Sequence, residues 1–354
     1  MISLKSKKPL IISGPCSAET QEQLMTTCGM LAESGVVDVL RAGIWKPRTR
    51  PGTFEGNGEE GLKWFAEVKK ATNLPIATEV ASAAHVELAL KYGVDLLWIG
   101  ARTTVNPFSV QDVADALRGV DIPVLIKNPM HPDIELWQGA VQRISAVGVK
   151  EVGLIHRGFS SYYNNSKYRN NPQWHIAIEM RRRMGELPMI CDPSHICGNR
   201  EFLYEVSQRS ADMNFDGLIV ESHINPAEAW SDASQQLTPS ALVELVKSIV
   251  WRAESGDNAD YTEALRSFRE QIDNFDAELL ELISKRMTIA TKIGEVKKAN
   301  NVAILQTGRW GEILDNVKVQ AKKMNLSDEL VIKILDAIHV ESINIQNNIM
   351  NRQG

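Results

Sequence analysis

The sequence predicts an α/β protein, a (β/α)8 TIM barrel followed by an all-α helical domain. Eight short apolar runs alternate with helical patterns over the first ~250 residues, the size of such a barrel. All 14 prolines lie at or before Pro239, and all four cysteines at or before Cys197. Beyond about Glu263 the pattern is helical throughout. We therefore expect a barrel over 1–252, a linker over 253–262 and a helical domain over 263–354. The stretch between Trp251 and Tyr261 is small and polar, as a linker or frayed helix end would be.

The apolar runs are Pro9–Ser17, Val36–Ile44, Leu74–Val80, Asp95–Ala101, Ile122–Asn128, Glu151–Gly158, Leu187–His195 and Phe215–His223. Runs apolar on both faces mark strands of a parallel sheet covered by helices. Helical patterns such as Gln21–Glu33, Gly61–Ala71, Asp133–Val147 and Ser240–Glu254 supply the cover. An open doubly wound sheet would have a similar pattern, but no Gly-rich phosphate fingerprint follows the first strand. In the tail, Ile272, Phe275, Leu279, Leu282, Ile289, Ile293 and Val296 follow steps of three and four, interrupted by Arg286. A helix over Glu263–Asn300 would be ~57 Å long, more than a unit of this size covers alone, so a second chain is expected to supply the partner helix.

The composition is that of an ordinary globular protein, 44% hydrophobic and 23% charged over 354 residues. A net charge of −5 argues against a general nucleic-acid binder. The apolar runs fall far short of the ~20 residues of a membrane span. Met1–Leu10 carries Lys5, Lys7 and Lys8 but no apolar signal core, and the cysteines show no paired spacing. A cytoplasmic protein without a disulfide framework is expected.

The chemistry of such a barrel lies at the C-terminal ends of its strands. In chain order these ends bring Cys16, Arg41 with Lys46, Arg48 and Thr49, then Arg102, Lys127, His156 with Arg157, His195, and Glu221 with His223, followed by Asp232. Cys16, His195, Glu221 and Asp232 form a mixed sulfur, nitrogen and oxygen set suited to divalent Mn, Fe, Co or Zn. Arg41, Lys46, Arg48, Arg102, Lys127 and Arg157 are six cations on one rim of an acidic protein. Singly each is an ordinary surface or ion-paired side chain, but together they imply a substrate with several phosphates or carboxylates. His156 and His223 stay open between a supporting role and ordinary packing, and Cys28, Cys191 and Cys197 read as packing thiols.

Gly-Pro-Cys16-Ser, Lys46-Pro-Arg48-Thr49, Gly-Ala-Arg102, Asp192-Pro-Ser-His195 and Glu221 with Ser231-Asp232 together resemble the type I-beta 3-deoxy-D-arabino-heptulosonate 7-phosphate (DAHP) synthases over residues 1–252. The resemblance implies metal-dependent condensation of phosphoenolpyruvate with erythrose 4-phosphate. It implies Cys16, His195, Glu221 and Asp232 as metal ligands, and Arg41, Arg102, Lys127 and Arg157 as the phosphoenolpyruvate pocket. Lys46 would lie between the substrates, with Arg48 and Thr49 on the aldose phosphate. The sister synthases of 3-deoxy-octulosonate 8-phosphate carry a Lys-Ala-Asn-Arg-type motif at the Lys46 position. Asn128 and Arg50 depart from the Arg and Ser often found there.

The tail resembles the all-α chorismate mutases from about Glu263 to Met350, through Arg269, Arg286, Lys297, Arg309, Ser342 and Gln346. Arg286 and Lys297 are three turns apart on one face, as are Ser342 and Gln346 at four residues. Arg269 lies ~26 Å along the axis from Arg286, so it would serve the pocket of a partner chain. The resemblance implies that Arg286, Arg309, the partner chain's Arg269 and Ser342 bind the carboxylates of chorismate, and that Lys297 and Gln346 donate to its ether oxygen on the way to prephenate. Trp310 stands where the family usually has a Glu that accepts from the substrate hydroxyl, with Gln306 one turn earlier. The expected protein is thus a bifunctional, at least dimeric shikimate-pathway enzyme, a transferase and an isomerase. With the first strand starting within ten residues, any feedback control is expected to be allosteric, through the mutase domain. The alternative is a related phosphoenolpyruvate-dependent sugar-acid synthase with a non-catalytic helical tail.

Overall fold

The computed structural model describes residues 2–5, 9–46, 52–160, 166–253, 255–256, 258–305 and 307–351. The chain divides into two compact units, 1–254 and 255–354. In the first, β1 (Leu10–Gly14), β2 (Val39–Arg41), β3 (Ile76–Val80), β4 (Leu96–Ile99), β5 (Val124–Lys127), β6 (Val152–His156), β7 (Met189–Cys191) and β8 (Gly217–Glu221) form a closed parallel barrel in sequence order. Closure pairs β1 with β8 from Leu10↔Gly217 to Gly14↔Glu221, which brings the loop after β1 beside Glu221. On its other side β1 runs tightly against β2, since a Cβ on Gly14 would lie 1.9 Å from the Arg41 carbonyl oxygen.

Helices Gln21–Glu33, Glu59–Thr72, Ala83–Lys91, Pro107–Ala116, Ile134–Ala146, Trp174–Arg183, Leu203–Asp212 and Pro239–Ser248 surround the strands. Local chemistry starts many of them. Thr20, Ser82, Asn106, Asp133 and Thr238 each accept from a backbone N–H of the first turn, and Pro107 and Pro239 occupy the start of theirs.

Two segments differ from the sequence reading. The run Leu187–His195 is strand only to Cys191, because Asp192 caps a helical turn, Pro193–Cys197, that carries His195. The last barrel helix stops at Ser248 rather than Glu254. There Val250 gives its N–H to Gln208 Oε1 (2.9 Å) and accepts from Gln208 Nε2 (2.9 Å), which takes its backbone out of the helical ladder.

Alternation along the strands makes two apolar layers. Leu10, Ile12, Val39, Ala77, Leu96, Trp98, Leu125, Ile155, Ile190 and Ile219 fill the barrel, and Ile11, Leu40, Leu97 and Leu154 face the helices. Leu4, 1% exposed, joins the inner layer, and Ser3 and Leu4 both donate to Glu151, just before β6. Glu151 thereby ties the N-terminal segment to the end of the barrel opposite the strand C-termini.

The helical unit contains Ala259–Ala299, Thr307–Lys323 and Asp328–Met350. The first helix begins four residues before the expected Glu263, because the Asn258 side chain accepts from Asp260 N and starts it there. Gly294 allows the first and last helices to approach: a Cβ there would meet Ile349 Cδ1 at 2.9 Å.

His156 proves to be a packing residue. It points from β6 into the outer layer among Trp137, Phe159, Trp174 and Phe215, with ring centroids 5.2–6.4 Å away. Burial pushes its pKa down to about 3. Between pH 6.5 and about 3 the unfolded chain takes up a proton that the folded one refuses, so this group's stabilisation is complete above pH 6.5 and declines by up to ~1.4 kcal/mol per pH unit on acidification. His156→Phe should therefore flatten the fall of the barrel's denaturant midpoint between pH 7 and 4.5. Parallel wild-type and variant curves would contradict this.

Candidate active sites

At the C-terminal end of the barrel the ligand atoms of Cys16, Glu221 and Asp232 lie within 4.8 Å of one another. His195 completes the group, with Nε2 3.8 Å from Glu221 Oε1. Asp192 holds the other ring nitrogen, Nδ1, at 2.8 Å, which leaves Nε2 for the centre. Asp232 has φ +47°, and its second oxygen accepts from Arg169 at 2.8 Å. The donor set fits a divalent cation: one thiol, one imidazole and two carboxylates converge, and each carboxylate is already oriented by a neighbour.

Burial, with Glu221 and Asp232 nearby, pushes the Cys16 thiol up to about 12, against the pull of Lys46 and Arg41. Its thiolate is therefore favoured only beside additional positive charge. Lys46 Nζ lies 2.8 Å from Cys16 Sγ and 2.7 Å from the Cys16 carbonyl. Glu221 is buried, which by itself would raise its pKa. His195, Arg41 and Lys46 instead hold it well below the usual carboxylate range.

The cations line the same mouth. Arg41, 3% exposed, donates to Glu221 Oε1 at 2.7 Å, and its buried Nε has no partner among the described residues. Lys127 is equally buried and pairs with Asp192 Oδ2 at 2.8 Å. The Trp98 ring lies under both, 5.0 Å from Arg41 and 5.8 Å from Lys127. Its Nε1 is fixed by Glu79, and Gly100 makes room, because a Cβ there would lie 2.2 Å from Glu79 Oε1. Arg157 donates to Asn170 Oδ1 at 2.8 Å, and burial together with Arg169 and Arg102 lowers its pKa to about 10. Arg102 is exposed on the short helix Ala101–Thr104. Arg48 and Thr49 lie outside the described residues, as does Arg50.

Asn128, one of the two departures from the family pattern, works within the scaffold. It accepts from Arg157 N and donates to the Gly158 and Pro129 carbonyls, joining the ends of β5 and β6. His223 meets Glu19 at 3.3 Å. The sequence reading assigned no role to Asp192, Arg169 or Gln235, whose Nε2 donates to Glu221 Oε2 at 2.7 Å. Asp192 had a signal, since it precedes Pro193 as a helix cap. Arg169 had none, being separated from Asp232 by 63 positions.

In the helical unit Arg286 donates to Ser342 Oγ at 2.6 Å. Lys297, on the same face, donates to the Ile304 carbonyl at 2.5 Å. Gln346 is 8% exposed; its Nε2 donates to the Ser342 carbonyl at 3.2 Å, and its buried Oε1 has no partner among the described residues. Arg269 is exposed on the first helix, far along its axis from Arg286. The Arg309 side chain and Gln306 lie outside the described residues. The apolar stripe of the first helix is open: Phe268, Ile272, Phe275, Leu279, Leu282, Ile289, Ile293 and Val296 are 44–62% exposed.

Comparison with known proteins assigns a family to each part of the chain. The pattern of the DAHP synthetase I family matches residues 2–256, and that of chorismate mutase type II matches residues 268–347. A phospho-2-dehydro-3-deoxyheptonate aldolase of Thermotoga maritima is 34% identical over 239 residues, 68% of each chain. A 2-dehydro-3-deoxyphosphooctonate aldolase of Francisella tularensis is 30% identical over 242 residues, 63% of this chain and 83% of that one. The crystal structure of the Thermotoga maritima DAHP synthase superposes with a TM-score of 0.61 at 32% identity, covering 70% of this chain and 71% of that one. The chain belongs to the DAHP synthetase I family and carries a chorismate mutase type II domain behind its barrel.

Proposed function

We propose that the barrel condenses phosphoenolpyruvate with erythrose 4-phosphate in a metal-dependent reaction, and that the helical domain rearranges chorismate to prephenate under feedback coupling to the barrel. The observation that carries the first reading is the convergence of two groups on one barrel mouth: the ligand atoms of Cys16, Glu221 and Asp232 with His195 beside Glu221, and a set of buried cations, one of which, Arg41, has an Nε without a partner among the described residues. Cys16, His195, Glu221 and Asp232 would hold a divalent Mn, Fe, Co or Zn ion. When bound, it supplies Lewis acidity towards the aldehyde carbonyl of the sugar. Arg41, Arg102, Lys127 and Arg157 bind and orient the phosphate and carboxylate of phosphoenolpyruvate, so the enol carbon is held against its partner. Lys46 holds a proton at Nζ for the developing alkoxide. Arg48 and Thr49 take the aldose phosphate, and the Lys46-Pro-Arg48-Thr49 motif favours the four-carbon sugar.

In the helical domain Arg286, Arg309, Ser342 and a partner chain's Arg269 bind the two carboxylates of chorismate. Lys297 and Gln346 donate to the ether oxygen as it gains charge. The open stripe from Phe268 to Val296 supports a second copy of this chain as its cover. Free, buried cysteines accord with a reducing, cytoplasmic setting.

Phosphate release from phosphoenolpyruvate and a panel of four- and five-carbon aldose phosphates, with and without chelator, tests the barrel reaction directly. Only the four-carbon sugar should turn over, and chelator should stop it. Cys16→Ala should lose bound metal and synthase turnover together while keeping mutase turnover; full metal content with full turnover would contradict the ligand assignment. Mixing Arg269→Ala with Lys297→Ala chains should restore mutase activity, because one hybrid pocket carries neither lesion. Its absence in verified heterodimers would exclude a shared pocket. Prephenate should slow the wild-type synthase by ~5- to 150-fold through a coupling of ~1–3 kcal/mol, and the response should weaken in Arg286→Ala. An unchanged rate at saturating prephenate would remove the regulatory part.

A further inference from the structure

The polar groups assigned to the mutase pocket are mostly donors. Arg286 and Lys297 only donate, and Ser342 already gives its proton to the Ile338 carbonyl at 2.8 Å while accepting from Arg286. Gln346 gives its Nε2 to the Ser342 carbonyl at 3.2 Å and keeps Oε1 buried without a partner among the described residues, an acceptor that is turned away once the amide swings to donate to the ether oxygen. Chorismate has two carboxylates and an ether oxygen, for which donors suffice, but also a ring hydroxyl that needs an acceptor once it leaves water.

The last helix carries one more polar side chain on this face. His339 lies three residues before Ser342 and seven before Gln346, so the three form one stripe. Its Nε2 is buried and has no partner among the described residues. Its ring lies flat on Trp310 of the middle helix, centroids 4.0 Å apart and planes 13° from parallel. Burial and the neighbouring Arg286 lower its pKa, against a smaller opposite pull from Asp336, which favours the neutral imidazole and its lone pair.

We propose that His339, held in plane by Trp310, accepts the hydrogen bond of the chorismate ring hydroxyl and makes the pocket selective for it. This rests on the assignment of Arg286, Lys297, Ser342 and Gln346 as the chorismate pocket. It also explains how a tryptophan is tolerated next to Arg309: its indole supplies the flat surface that orients the acceptor. A hydrogen bond made to the substrate hydroxyl and lost on its deletion discriminates between substrates by roughly 10-fold or more.

The test compares kcat/KM on chorismate and on its 4-deoxy analogue, which keeps both carboxylates and the ether. The wild-type chain should prefer chorismate by about 10-fold or more. His339→Leu should bring that preference close to unity, and His339→Gln, whose amide oxygen accepts, should restore part of it. Trp310→Leu, which removes the orienting surface and leaves the imidazole, should give a partial loss and serves as the second reading if His339→Leu folds poorly. Equal falls on both substrates in His339→Leu, or an unchanged preference in all variants, would overturn the proposal while leaving the mutase pocket standing. A wild-type chain inert towards chorismate would overturn both.

Discussion

Charge balance at the barrel mouth is the constraint on which the rest of the first unit depends. Arg41, Lys127 and Arg157 sit almost wholly out of water, as do Glu221 and Asp192. None would be tolerated alone, because an uncompensated buried charge costs several kcal/mol. The arrangement resolves this by sharing: Glu221 faces Arg41, Gln235 and His195, and Asp192 faces Lys127 and His195. The strands that deliver these groups are short, and their register is fixed by the apolar layers on both sides. The barrel thus concentrates fixed charges of both signs at one mouth, largely out of water.

The helical unit solves a different problem. Arg286 interrupts an apolar stripe and is anchored on Ser342, and around that pair the helices approach closely through Gly294. The outer half of the first helix is left uncovered by the described residues. Arg286 and Lys297 lie on the same long helix as the exposed apolar stripe, so the polar and apolar features share one rigid element.

Much of this was legible in the sequence. All eight strands lie inside the apolar runs, and the helical pattern over Gln21–Glu33 coincides with the first helix. The errors came where a side chain overrode a pattern. Asp192 turned the end of the seventh run into a helix, and Gln208, distant in sequence, ended the last barrel helix. At the sites, residues at strand ends were readable because the fold puts chemistry there. Arg169 and Gln235 were not, since they reach the centre from loops whose path follows no period. His339 escaped because a histidine within a helical stripe carries no signal until its neighbour Trp310 is placed beside it.

Trp98 gives a last consequence. One ring on β4 supports both Arg41 and Lys127, and its edge is pinned by Glu79. The two cations are therefore not independent in an evolutionary sense: a change at position 98 alters both at once, and a change at either cation is felt through the shared ring. Epistasis of this kind makes the floor of the pocket resistant to drift.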